Sequence, residues 1–274
     1  MRGVICYYSA TGNTRLACEA IVDRLGVPFD LVDVIRRPET DLAAYDVVGF
    51  ASSTDFWSVP HLFGEFMRSL PQHPGKPAFV FNTFGGFSGK TLLALRDAAA
   101  AKGFDVLAGH SLHMPESYPP MVAMGLAPAG APSRRRLARF DAFVSALAQA
   151  VAAVRDGRAP ERIPVRIGFA DRLFPALPRT TARRTMGEKY VDESACTACG
   201  GCERRCPYGA IRLDPKPVFD AAKCYGCWRC FNTCPERAIH TRSYAGKAFY
   251  PGPAPALRDT LAEAIDPATS ASRS

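Results

Sequence analysis

The stretch that most constrains this chain runs from Cys196 to Pro235, where eight of the ten cysteines fall into two runs of the form C-x2-C-x2-C-x3-C-P. The first run is Cys196, Cys199, Cys202 and Cys206, and the second is Cys224, Cys227, Cys230 and Cys234. This is the ligand spacing of iron–sulfur cubanes, whose irons take soft thiolates. Gly200, Gly201 and Gly226 let short loops wrap closely around a compact core. By the crossed-ligation rule, Cys196, Cys199, Cys202 and Cys234 are expected to hold one [4Fe-4S] cluster, and Cys224, Cys227, Cys230 and Cys206 a second. The segment is then expected to fold as its clusters assemble. After each Cys-Pro, Tyr208 to Leu213 and Arg237 to His240 read as short helical turns leading to Ala210-Ile211 and Ala238-Ile239, an internal repeat.

Two other readings of the cysteines are weaker. A disulfide framework belongs to oxidising compartments and small secreted chains. Zinc ribbons use separated C-x2-C pairs, which a third and fourth cysteine in the same short run do not build easily. Residues 190 to 240 resemble a bacterial-type ferredoxin with two [4Fe-4S] clusters, and the resemblance implies one-electron transfer at low potential. Four available thiolates per cluster argue against an open catalytic iron.

The N-terminal part alternates strand and helix patterns. Val4 to Tyr8 is an apolar run that stops at Ser9-Ala-Thr-Gly-Asn-Thr14, after which Leu16, Ala17, Ala20, Ile21 and Leu25 recur at helical spacing. Such a loop offers backbone N–H groups, hydroxyls and the positive end of a helix to a phosphate. Further strands are predicted at 29–34, 47–51, 78–81 and 105–111, and helices at 60–70, 89–101 and 135–154. The result is a doubly wound, five-stranded parallel α/β sheet in the order 2-1-3-4-5, followed by a small α+β domain. In that topology ligands sit beyond the carboxyl ends of the strands, at the switch point beside the first strand.

Ser9, Thr11, Gly12, Asn13 and Thr14 match the S-x-T-G-N-T signature of flavodoxins, and this resemblance implies FMN with its phosphate in the loop. A second loop, with Ser52, Ser53, Thr54, Phe56 and Trp57, offers aromatics to the isoalloxazine ring, Trp57 foremost. A third, Asn82, Thr83, Phe84, Gly85 and Gly86 running on to Gly89, would bring backbone N–H groups to the flavin pyrimidine edge. Typical flavodoxins stack an aromatic from this third loop, a role open here to Phe84 or Phe87. The T-F-G-G stretch, with His110 to Tyr118 reading H-S-L-H-M-P-E-S-Y, is similar to the flavodoxin domain of fused flavodoxin–ferredoxin proteins of anaerobic and phototrophic microbes. The long connection from Met114 to Pro132 is of a length that is often functional, and Tyr118 is its candidate ring contact.

The expected layout is a flavodoxin-like FMN domain over 1–156, a basic linker over 157–189, a ferredoxin domain over 190–240 and a C-terminal tail over 241–274. Of the net charge of +8, the segment 158–189 supplies a surplus of five, suited to an acidic redox partner. Within it, 167–173 reads as a short docking helix, with Phe169, Leu173, Phe174 and Leu177 as apolar pins. No recognition motif points to nucleic acid. The start at Met1 shows no signal-peptide pattern, and no stretch reads as a membrane span, so a cytoplasmic protein is expected. Cys6 and Cys18 read as small core residues.

Two functions follow. The leading one passes electrons between FMN and the two clusters within one chain, to or from a redox partner protein. The alternative is a flavin-dependent reductase of a small organic substrate held beneath residues 110–132 and fed by its own ferredoxin domain. For it His110, His113 and Glu116 are the available acids or bases, and no catalytic residue is assigned.

Overall fold

The computed structural model describes residues 1–125, 131–175, 177 and 186–263. It divides into two compact units, Met1–Met114, Gly130–Ala176 and Pro253–Ser274 in the first, Pro115–Ala129 and Leu177–Gly252 in the second. This partition cuts across the consecutive layout read from the sequence.

The first unit is built on β1 (Gly3–Tyr8), β2 (Phe29–Asp33), β3 (Val47–Ser53), β4 (Pro77–Phe84) and β5 (Asp105–His113). All pair in parallel in the order β2-β1-β3-β4-β5, the order predicted. Nearly continuous apolar runs are what a sheet covered on both faces requires. Along β1, Val4, Cys6 and Tyr8 face one layer and Ile5 and Tyr7 the other. The first layer takes α2 (His61–Ser69) and α3 (Thr91–Ala100) through Phe63, Phe66, Met67, Leu92 and Leu95. The second takes α1 (Asn13–Val22) through Leu16, Ala17 and Ile21.

After β5 the chain supplies the short α4 (Pro119–Ala123) to the second unit and then returns for α5 (Arg134–Arg155) in the first. By length and composition α5 could cross a membrane, yet Phe140, Phe143, Val144, Leu147 and Val151 pack it into the sheet's second layer. The segment beyond α5 adds to this unit: the Ile163 N–H donates to the Leu107 carbonyl at 2.8 Å, and α6 (Phe169–Leu173) follows. Residues 176 and 178–185 of the expected basic docking segment lie outside the described residues. Phe169 and Leu173, expected as apolar pins, are 79% and 71% exposed.

The second unit pairs β6 (Lys189–Val191) with a later strand, holds α7 (Gly201–Arg205) and the hairpin β7 (Ile211–Leu213) with β8 (Pro217–Phe219), and continues through α8 (Arg229–Asn232) to β9 (Ile239–Thr241), the partner of β6. Here the expectation of helical turns after each Cys-Pro is corrected. Ile211 and Ile239 open three-residue strands, because each segment finds an antiparallel partner, β8 for the first and β6 for the second. The helical turns lie inside the cysteine runs and start from left-handed residues 28 positions apart, Gly200 at φ 68° and Trp228 at φ 60°. The repeat extends to Asp192 and Asp220, whose side chains accept from N–H groups two and three residues on.

The chain then returns to the first unit for α9 (Pro255–Glu263). This stretch lies in the C-terminal tail expected from the sequence. Leu257 and Leu261, one turn apart, insert into the layer of α1, and Arg258 meets Glu19 at 3.0 Å. The rest of that tail, from 264 onward, lies outside the described residues.

Candidate functional site

The three predicted loops leave β1, β3 and β4 at their carboxyl ends, and hydrogen bonds join them. Between the first and third, the Thr14 and Thr83 hydroxyls bond at 2.7 Å in full burial. Between the second and third, the Thr54 N–H donates to the Thr83 carbonyl at 2.7 Å, and Asn82 Nδ2 donates to Thr54 Oγ1 at 2.9 Å. Asn82 also donates to Ser88 Oγ at 3.0 Å and accepts from Ser111 Oγ at 2.6 Å, which fixes the base of the third loop. Ser52 Oγ is buried with no hydrogen-bond partner among the described residues. Ser53 pairs with Thr83 at the end of the sheet.

The first loop is shaped by its own atoms. The Gly12 N–H donates to Ser9 Oγ at 3.1 Å, and Gly12 takes φ 103° as it turns the chain into α1. A side chain at Gly12 would meet Pro253 at 3.1 Å, so the C-terminal segment lies against this loop. No side chain caps α1 and its first turn holds no acid. Its first N–H groups and positive end are therefore presented beside the hydroxyls of Ser9, Thr11 and Thr14 and the amide of Asn13, a neutral donor set that suits a phosphomonoester.

In the second loop, Asp55 and Ser58 exchange backbone hydrogen bonds at 2.9 and 3.1 Å around Phe56 and Trp57, which lie at φ 47° and 65°. Two-residue turns of this kind normally take Asn-Gly, and a bulky side chain at positive φ is strained. The turn is held by Lys90, whose N–H donates to the Trp57 carbonyl at 3.0 Å, and by Gly89, where a Cβ would come within 2.3 Å of Trp57 Cβ. Strain kept by surrounding contacts clusters at functional positions.

Two residues of the expected docking segment, Phe174 among its apolar pins and Asp171 in its helix, reach this loop, a place the sequence does not predict for them. Phe174 packs against Trp57 at 4.7 Å and against Phe87 at 4.5 Å, and Asp171 accepts from the Gly89 N–H at 2.9 Å. Both lie more than 80 positions from the loop they touch, and nothing local in the sequence marks them for this site. Phe87 joins this aromatic group. Phe84 turns instead toward His113, 5.5 Å away, and toward the Arg136 guanidinium. Gly85 and Gly86 continue the loop, and the Gly85 backbone hydrogen-bonds His113.

Tyr118 belongs to the second unit and packs with its core of Met186, Trp228, Phe231 and Ile239. The connection that carries it is anchored there too, the Ser117 carbonyl accepting from Asn232 at 2.9 Å. Residues 126–130 of that connection lie outside the described residues. Glu116 accepts from the Ser117 and Tyr118 N–H groups. His110 stacks on Phe143 at 4.9 Å, and burial, with Arg139 adding repulsion, pushes it down to about 4. It is a neutral core residue at ordinary pH. His113 is lowered as well, by burial first and then by Arg136.

In the second unit, Cys196, Cys199, Cys202 and Cys234 line one cavity and Cys206, Cys224 and Cys227 another, with Cys230 on both. Backbone N–H groups of Ala198, Ala210 and Ala238 approach the sulfurs of Cys196, Cys206 and Cys234 at 3.3 to 3.4 Å. Lys189 Nζ lies 3.3 Å from Cys224 Sγ and 4.1 Å from the centre of the Trp228 ring. Among the described residues, however, no group of three or more His, Cys, Asp or Glu side chains is placed to hold a metal ion. This overturns the assignment of two [4Fe-4S] clusters, and with it both the transfer of electrons between FMN and such clusters and the reductase fed by them.

Fold and site together define the first unit as a flavodoxin-like, doubly wound α/β module. The second contains a segment, residues 189–212, that matches the family described as 4Fe-4S binding domain, a match to under a tenth of the chain. Among curated proteins none matches this sequence. Similar solved structures include a flavodoxin from the domain Archaea, 18% identical over 56% of this chain and 99% of that one, with a TM-score of 0.40. The rubredoxin oxygen:oxidoreductase of Desulfovibrio gigas is 16% identical over 56% of this chain and 37% of its own, at 0.43. The two-electron reduced flavodoxin of Megasphaera elsdenii is 22% identical over 40% and 85%, at 0.37. The fold assignment rests on the strand order and register, not on these similarities.

Proposed function

We propose that the first unit binds FMN and serves as a redox module that carries electrons to or from a partner protein, as a cytoplasmic protein. The observation that supports this most is the hydrogen-bonded meeting of three loops at the carboxyl ends of β1, β3 and β4, with buried Thr14 and Thr83 joined and Ser52 Oγ without a partner among the described residues. That is where a ligand is expected in this topology. Ser9, Thr11, Asn13, Thr14 and the first N–H groups of α1 would hold the phosphate. Trp57 would contact the ring, and the chain from Asn82 to Gly86 would serve its pyrimidine edge. Bound there, the flavin supplies one- and two-electron chemistry. The protein's part is to bind it, orient it and shield it from water.

Titration of the flavin-free protein with FMN, followed by quenching of flavin fluorescence, tests the reading. Saturation at one equivalent is expected. Thr14→Val should weaken binding by about tenfold or more, since one hydrogen bond lost in a buried polar site costs about 1–3 kcal/mol. Absence of saturable binding would overturn it.

A further inference from the structure

We propose that Arg136 is a residue of the flavin site, a fixed positive charge beside the third loop that favours the reduced ring. The inference rests on the reading that the first unit binds flavin. Arg136 lies in the first turn of α5, and its guanidinium stands over the Phe84 ring, 5.4 Å from the centroid. Phe84 is the last residue of β4 and opens the third loop.

In the protein by itself this arginine is badly placed. Its Nη1 is buried and has no hydrogen-bond partner among the described residues. Arg139 repels it, and the first turn of α5 contains no acid to offset a cation at the positive end of the helix. An unpaired buried donor in a native fold calls for an explanation, and a ligand acceptor is one. Cation–π contact with Phe84 holds the guanidinium in place without using its N–H groups.

Among the described residues, His113 and Asp171 are titratable groups that interact with Phe84 or Arg136. His113, 5.5 Å from Phe84, is kept toward its neutral form by burial and by Arg136 itself. Asp171 attracts Arg136, but its Oδ1 already accepts from the Gly89 N–H at 2.9 Å. Arg136 therefore has charge and an N–H to spare. A flavin ring gains negative charge at its pyrimidine edge on reduction, and charge placed near that edge tunes its electronics. A cation there tightens binding of the reduced form more than of the oxidised form, which raises the midpoint potential.

The test compares wild type, Arg136→Gln and Arg136→Lys by FMN affinity in the oxidised and reduced states and by anaerobic potentiometry. For Arg136→Gln the expected result is oxidised-state affinity close to wild type, reduced-state affinity lower by about tenfold or more, and a more negative potential. Arg136→Lys should recover most of the difference. The flavin-free Arg136→Gln protein should melt at or above wild type, because an unpaired charge has gone; a purely structural arginine would give the reverse. Equal affinity changes in both redox states, or an unchanged potential, would overturn the role of Arg136 and leave FMN binding standing. Failure of the wild type to bind FMN would overturn both.

Discussion

Phe56 and Trp57 show how a residue-level conflict is tolerated at a site. Both sit at positive φ in a turn whose geometry favours Asn and Gly. Phe56→Asn should therefore stabilise the fold by about 1 kcal/mol, since left-handed backbone costs a bulky residue roughly 1–2 kcal/mol. Urea unfolding measures this, and a loss of stability would mean that packing of the Phe56 ring outweighs the strain. His110 gives a pH dependence with a definite sign. Unfolded, it titrates near its usual 6.5; folded, near 4, burial being the main cause. Between those values the unfolded chain takes up a proton that the fold resists, so stability is lost as pH falls from about 6.5 toward 4 and is unaffected above. The loss reaches roughly 3 kcal/mol at most, and His110→Phe, which keeps an aromatic against Phe143, should flatten it. Unfolding curves at neutral pH and near pH 4.5 check both statements.

At the scale of elements, helix α9 carries an expectation of its own. Leu261 is 1% exposed in the layer shared with α1, so Leu261→Ala should cost about 2–5 kcal/mol and lower the melting temperature of the first unit. Little change on calorimetry would show that α9 is dispensable. This helix also shows where sequence reading stops. The five strands, their order and the three loops were legible because apolar runs and a polar strand-to-helix loop are local signals. Leu257 and Leu261 were not, since two leucines in a stretch rich in Pro and Ala signal a helix only once a surface exists to receive them. The strands Ile211–Leu213 and Ile239–Thr241 were read as turns for a related reason: three residues are too few for a period to show. Arg136, Asp171 and Phe174 reach the site from sequence positions remote from its loops, and only the folded backbone connects them. Cysteine spacing was the clearest signal in the chain, yet among the described residues no group is placed to hold a metal ion.

For the whole molecule, the first unit draws on three separated segments, and the last brings Pro253 against Gly12 and α9 against α1. A site on the phosphate loop thus depends on both ends of the chain. The central claim is that this loop holds the phosphate of FMN through neutral donors and the first turn of α1. Calorimetric titration of the flavin-free protein with FMN and with riboflavin, which lacks the phosphate, tests it most directly. The account predicts one equivalent of FMN bound and riboflavin weaker by about a hundredfold or more, as several charge-assisted hydrogen bonds of roughly 1.5–3 kcal/mol each require. Equal affinity for the two, or no binding of either, would contradict it.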